Sequence, residues 1–337
     1  MTWTREIFAI NYAAEIRWRE KMMKVLAAYF LDLALGDPEG YPHPVVVIGK
    51  AVTWLEEGLR RRARSSRELK TAGFILCFLI VASSFISSYV LILLARLIHP
   101  YLGDLIEIFI IYTCLATREL GRAANRVYDA LIRSELAEAR TRLSYIVSRD
   151  THRMNQEEIS RGAVETVAEN ISDAIIAPLF YAFIGGAPLA LFYKATNTLD
   201  SMVGYTNEKY KDIGYASAKL DDILNFIPAR ITALLIVLAS FLMGYDYKNC
   251  WHVLLRDRLK HKSPNSAHGE AAVAGALNIQ LGGINYYFGR LEMRPILGDK
   301  RTEILPGHIK DSIMIMYASS ILGIVSFYAF YALVLLF

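Results

Sequence analysis

The sequence predicts an all-α, polytopic integral membrane protein with four to six membrane segments, some of them re-entrant, and further helices outside the bilayer. Three apolar runs predict it. Residues 71–95 and 312–337 contain no charged side chain, and each exceeds the ~20 residues with which a helix crosses about 30 Å of hydrocarbon. The run 174–193 is also uncharged, but it carries Pro178 and 185-GGAP-188. Glycine pairs and prolines break helices, so this run is expected either as a kinked span or as a re-entrant hairpin lining a cavity.

The N-terminal stretch 1-MTWTREIFAINYAAEIRWREKMMK-24 is too charged for a cleaved signal peptide. It reads either as an interfacial amphipathic helix or as an extension ahead of a start at Met22 or Met23. The domain division expected is therefore an extension, 1–22, and a single membrane-embedded domain, 23–337. A short apolar run, 24–36, stops at the loop 36-GDPEGYPHP-44. Residues 45–59 form a short amphipathic helix. Six cations crowd 58-GLRRRARSSRELK-70, directly before the first long span. That placement is a topology signal for the cytoplasmic side, and without interleaved aromatics it does not suggest nucleic acid. The overall charge of +4 is otherwise unremarkable.

After the span 71–98 and a turn at His99-Pro100, a second apolar helix runs from about 105 to 117. Residues 118–170 are rich in Ala, Arg and Glu and lie outside the membrane, with 134-SELAEARTRL-143 reading as a surface helix capped by Ser134. A further uncharged run covers 231–245, the region 246–311 is polar and glycine-rich, and the last span closes the chain. No sustained strand alternation and no internal repeat is evident. Three widely spaced cysteines, Cys77, Cys114 and Cys250, suggest neither a disulfide framework nor a zinc site.

Four stretches carry chemistry. In 160-SRGAVETVAENISDAIIAP-178, Arg161, Glu165, Glu169 and Asp173 recur every four residues and share one helix face. They read either as a solvated ion-pair ladder or as a ligand stripe. Acids carried to a membrane boundary are costly and call for a partner, and three carboxylates so spaced suit Mg²⁺. In 194-KATNTLDSMVGYTNEKY-210, Lys194, Asn197 and Asp200 fall on one helix face, suited to phosphate and to metal or hydroxyl contacts, or else form a plain surface. In 219-KLDDILNFIPAR-230, Asp221 and Asp222 precede a helix-breaking Pro228, and Arg230 is either a membrane anchor or a phosphate contact. In 263-SPNSAHGEAAVAGALNIQLGG-283, Ser263, Asn265 and Ser266 stand before an alanine-rich helix, as ordinary caps or as an anion site. His261 and His268 lack a zinc motif, and no standard nucleotide fingerprint occurs.

Taken together, the run 32-DLALGDPEGYPHPVVVIG-49, the stretch 149-RDTHRMNQEEISRGAVETVAENISDAIIAPLF-180, the region from 185-GGAPLALFYKATNTLDS to 233, the run 263–283 and 294-RPILGD-299 resemble the CobD/CbiB family of cobalamin biosynthesis, in order, from about Met23 onward. The resemblance implies an adenosylcobinamide-phosphate synthase, a ligase of the cell membrane with its active site on the cytoplasmic face. Such enzymes use ATP and Mg²⁺ to join adenosylcobyric acid to aminopropanol phosphate or a related amino alcohol phosphate. Laid on the residue patterns above, that activity assigns Glu165, Glu169 and Asp173, with Asp200 as a further candidate, as Mg²⁺ ligands. Arg161, Lys194, Asn197, Arg230 and Asn265 become contacts to the nucleotide and phosphates, and Asp221, Asp222 and Asp200 catalytic groups. Asp37 and His43 are expected to close over the substrate. Expected partners are the two substrates and the bilayer, without nucleic acid, and with homo-oligomers or other corrinoid enzymes as candidate associates. The rival readings are a non-enzymatic membrane sensor and a small-molecule carrier.

Overall fold

The computed structural model describes residues 2–37, 43–287 and 289–336, the side chains of 2–17 and 334–336 excepted. The loop residues 38–42 lie outside that description. In chain order the helices are α1 (Thr2–Leu35), α2 (Pro44–Arg62), α3 (Ser66–Ile98), α4 (Pro100–Cys114), α5 (Thr117–Ile132), α6 (Leu136–Ser144), α7 (Gln156–Ile171), α8 (Ala177–Val203), α9 (Tyr215–Leu224), α10 (Phe226–Leu242), α11 (Tyr247–Asp257), α12 (Ala267–Leu277) and α13 (Gly307–Leu336). A π-helical turn, Ser172–Ile176, joins α7 to α8, and strands β1 (Leu281–Tyr287) and β2 (Arg290–Leu297) form an antiparallel hairpin.

Four helical stretches are long and apolar enough to cross a membrane: α3, α4 with α5, α7 with α8, and α13. The pair α9 and α10, bent by 49°, would make a fifth. The chain is therefore a helical membrane protein, as its apolar runs predict. α3 starts at Ser65, whose side chain accepts the Glu68 N–H, and its outward face presents Phe78, Leu94 and Leu97. Such a face is favourable against lipid and costly against water. The break expected at 185-GGAP-188 is present. Gly186 has φ +66° with Glu107 Oε1 2.6 Å from where a Cβ would sit, so a side chain is excluded on both counts. The break between α9 and α10 falls at Asn225, one turn before Pro228.

Two expectations are corrected. Ser134 does not cap a helix: it has φ +60° and its N–H bonds Leu131 O at the end of α5, while α6 begins at Leu136 with Glu135 as its cap residue. The region 246–311 is not free of strands. Its hairpin leaves no sustained alternation in the sequence, because Gly282, Gly283 and Pro295 interrupt it and β2 is largely exposed on both faces.

The chain divides into two compact units, one of residues 1–115, 178–221 and 324–337, the other of 116–177 and 222–323. In the first, α4 packs against α1 and α3, and α2 against α3. Lys24 binds Glu107 (2.7 Å) and Asp104 (3.0 Å), and Arg96 binds Glu107 (2.8 Å), so acids on an apolar helix are paired. In the second, α12 is enclosed on all sides, every residue buried, by α7, α10, α11 and the hairpin. Its small residues permit this. A Cβ on Gly269 would lie 2.5 Å from Ala168 O, and one on Gly275 2.7 Å from Asn249 O.

Candidate functional site

The second unit gathers an arginine–glutamate cluster around α7 and α12. An Asn155–Glu158 capping box fixes the start of α7, which sets the stripe bearing Arg161, Glu165 and Glu169. Glu165 is fully buried and its oxygens are taken: Oε1 accepts the Gly282 N–H (2.7 Å), and Oε2 accepts from Arg149 Nη2. Arg294 Nη1 stands 3.7 Å from Oε2 and Arg161 Nε 3.9 Å from Oε1. Arg149 also donates to Asn285 Oδ1 (2.7 Å), and Arg161 to Ile284 O (3.1 Å), so the hairpin positions both guanidiniums. Its turn is tied down in return, Asp150 Oδ2 accepting from Gly289 N–H (2.6 Å).

On α12, Glu270 is 0% exposed and its Oε1 accepts from Arg294 Nη2 (2.9 Å). Its Oε2 has no hydrogen-bond partner. Burial raises the Glu270 carboxyl, Arg294 opposes this, and the charges of Glu169 and Glu165 add to it, leaving it at about 8. At neutral pH Glu270 is thus mostly an uncharged acid. His261, 5% exposed, places Nδ1 3.0 Å from Ser266 Oγ and 3.8 Å from Glu270 Oε1. Burial and then Arg294 push it down to about 4, so it too is uncharged.

A second group adjoins through the segment 263–266. Ser263 Oγ donates to Asp222 Oδ1 (2.8 Å), Asn265 Nδ2 donates to Asp222 O (2.7 Å), and Arg230 Nη1 donates to Asn265 Oδ1 (2.9 Å). The structure therefore brings Asp222, Arg230 and Asn265 together. Ser263 and Asn265 are engaged with these side chains rather than presenting an open helix start.

Lys194, Asn197, Asp200 and Asp221 belong to the first unit. The first three are half-buried on a helix whose neighbouring positions, Tyr193, Ala195, Thr196 and Leu199, are closed off, so they form its open face. The Asp200 carboxylate folds over Gly204, where a Cβ would lie 1.9 Å from Oδ1. Asp37 and His43 do come together, Nε2 to Oδ1 3.6 Å, while His43 Nδ1 accepts the Val45 N–H that opens α2.

The Mg²⁺ expectation fits poorly. Glu165 is consumed by cations and a backbone N–H, and Asp173 falls in the π-helical turn, where the four-residue spacing no longer holds. Among the described residues no group of three or more His, Cys, Asp or Glu side chains is arranged to hold a metal ion. Sequence reasoning missed Arg149, Glu270, Asn285 and Arg294 as members of the site. The signal lay in 149-RDTHRMN and 294-RPILGD-299: Arg294 binds Glu270, the Gly298 N–H bonds Asp257 Oδ2 (2.8 Å), and Asp299 binds Arg256 (2.9 Å).

The family model for CobD/Cbib protein matches residues 25–316. The chain belongs to the CobD/CbiB family. It is 48% identical over 306 residues to the cobalamin biosynthesis protein CobD of Clostridium perfringens, covering 91% of this chain and 95% of that one. The CobD of Geobacter metallireducens is 48% identical over 298 residues (88% and 93%), and the cobalamin biosynthesis protein CbiB of Salmonella arizonae 45% identical over 310 (91% and 97%). No solved structure matches. Family membership over this length gives the chain a role in cobalamin biosynthesis.

Proposed function

We propose that this CobD/CbiB protein is a ligase that joins a propionate carboxyl of adenosylcobyric acid to the amine of aminopropanol phosphate, or a related amino alcohol phosphate, with ATP as co-substrate. The convergence of Arg161 and Arg294 on one buried carboxylate, Glu165, carries the reading. Both guanidiniums are partly exposed, 17% and 19%, and Arg149 stands behind them. With Glu270 mostly uncharged, guanidinium charge exceeds carboxylate charge. Such a surplus attracts an anion, and guanidinium forks match phosphate oxygens.

Amide formation from a carboxylate needs activation, most simply as an acyl phosphate, which makes preplaced cations valuable. In this reading Arg161 and Arg294 hold a phosphate or phosphoryl group. Arg230, oriented by Asn265, offers another contact, and Asp222 orients Ser263 and Asn265. The cations of 60–70, just before and within the first turns of α3, support a cell-membrane location with that end of the helix in the cytoplasm.

The test is direct. Detergent-purified protein is incubated with adenosylcobyric acid, aminopropanol phosphate, ATP and Mg²⁺, and the corrinoid is followed by mass spectrometry. Condensed product with stoichiometric ADP is expected. Corrinoid binding without any change of mass would replace the ligase with a sensor.

A further inference from the structure

Within the first unit, the cations of 60–70 meet a second basic segment, 209–211, at the N-terminal end of α3. The chain ahead of α9 packs closely there, since Ile213 O leaves no room for a Cβ on Gly73. Arg60 Cζ and Lys209 Nζ stand 5.6 Å and 4.7 Å from the ring centre of Tyr210, and Lys70 Nζ stands 3.8 Å from that of Tyr215. Phe74 packs beside Tyr215, with 6.3 Å between ring centres. Lys70, Phe74 and Phe78 follow at four-residue spacing along α3, and all three are exposed. The basic patch is therefore continuous with the outward apolar face of the span.

Most of its charge has no internal counterpart. Arg60 pairs with Glu56 (2.7 Å) and Arg61 with Glu57 (3.4 Å) along α2. Glu68 accepts the Arg64 backbone N–H (2.7 Å) at the start of α3. Among the described residues, the exposed guanidiniums of Arg62, Arg64 and Arg67 form no ion pair. The C-terminal dipole of α2 favours cations and accounts for Arg60, Arg61 and Arg62. The start of α3 disfavours them, yet Arg67 and Lys70 stand in its first turns. An anion from outside the chain resolves that conflict.

We propose that this patch binds the headgroups of anionic phospholipids. Arg62, Arg64 and Arg67 contact lipid phosphates, Tyr210 and Tyr215 sit at headgroup level, and the acyl chains lie along Phe74 and Phe78. Basic side chains beside a membrane span are drawn to an anionic leaflet, guanidiniums match phosphate oxygens, and tyrosine rings favour the interface. None of these residues belongs to the arginine–glutamate cluster, so the inference stands apart from the ligase reading.

The test uses the full chain in nanodiscs of equimolar phosphatidylglycerol and phosphatidylcholine. The protein is released into detergent and the lipids it retains are counted by native mass spectrometry. Each cation near an anionic surface contributes about fivefold to the attraction. Wild type should therefore retain phosphatidylglycerol over phosphatidylcholine by about tenfold or more. Arg62→Gln combined with Arg64→Gln and Arg67→Gln should cut the preference to about twofold or less, while lysine at the same three positions should keep most of it. The glutamine replacements also remove a topology signal, so Lys209→Gln with Lys211→Gln, outside that run, serves as a second variant and should lower the preference about threefold or more. Equal retention of the two lipids by wild type, or a preference unchanged in the variants that insert, overturns the inference. So does release of the lipid by inorganic phosphate beyond that by sodium chloride at the same ionic strength, because the patch is then a site for free phosphate.

Discussion

Asp257 and Glu270 are both fully buried acids in the second unit, yet they are held in opposite charge states. Asp257 accepts from Arg256 Nε and Nη2 (2.8 Å each), from the Gly298 N–H (2.8 Å), and pairs with Lys260 (2.7 Å). Burial alone would raise its carboxyl, but these donors outweigh it and hold it at about 2. Glu270 has one guanidinium on one oxygen, none on the other, and sits at about 8. Neither side chain meets solvent, yet Glu270 is the more deeply enclosed, so depth of burial and the number of donors aimed at the carboxylate together separate the two charge states. Asp257 is saturated, as a structural acid should be, and Glu270 is left half-served.

The largest expected effect tests the saturated side. Asp257→Ala takes the acceptor from the buried Gly298 N–H and one partner each from Arg256 and Lys260, which are partly exposed and keep Asp299 and Ile296 O, so the loss reaches up to about 3 kcal/mol. Unfolding in detergent, followed by loss of helical signal, should show a correspondingly lower midpoint. A variant as stable as the wild type would erase the contrast between the two acids.

Next in size is pH dependence, where the two acids act in opposite senses. Glu270 has a folded value raised from 4.5 to about 8. Its contribution to stability is full below about 4.5 and is lost as pH rises through about 8. Asp257 is lowered from 3.8 to about 2, so its contribution is full above 3.8 and is lost as pH falls through about 2. Between about pH 6 and about pH 8 only Glu270 titrates of the two, and it should lower stability by about 2–3 kcal/mol. Glu270→Gln should remove that decline. If the slope over this range is the same in both proteins, Glu270 is already ionised and the comparison fails.

These contrasts also mark how far the sequence could be read. The spans were legible because long uncharged runs are a one-dimensional signal, and the break at 185-GGAP-188 was legible because glycine and proline act locally. The stripe Arg161, Glu165, Glu169 was legible as a helix face, since four-residue spacing needs no tertiary knowledge. Its chemistry was not. Glu165 looks like a metal ligand until Arg149 and the Gly282 N–H are known to occupy it, and Gly282 lies on the hairpin, 117 residues away. Glu270 looked like one acid in an alanine-rich helix. Only the arrival of Arg294 from β2 gives it meaning, and no spacing rule connects the two.

The smallest expected effect separates strain from crowding at the two ends of the strand that serves both acids. Gly289 precedes β2 and Gly298 follows it, with φ of +73° and +76°. A Cβ at Gly289 would meet nothing within 4 Å, whereas at Gly298 it would lie 2.4 Å from Ile279 O. Gly289→Ala therefore carries only the cost of a left-handed backbone, about 1 kcal/mol, and should leave the Asp150 acceptor in reach of its N–H. Gly298→Ala adds a clash with the Ile279 carbonyl, and relieving it by moving residue 298 would shift the N–H given to Asp257. The midpoint of unfolding should fall modestly for the first and clearly further for the second. Equal losses would mean that the chain around Ile279 gives way without cost and that crowding adds nothing to the left-handed backbone at 298.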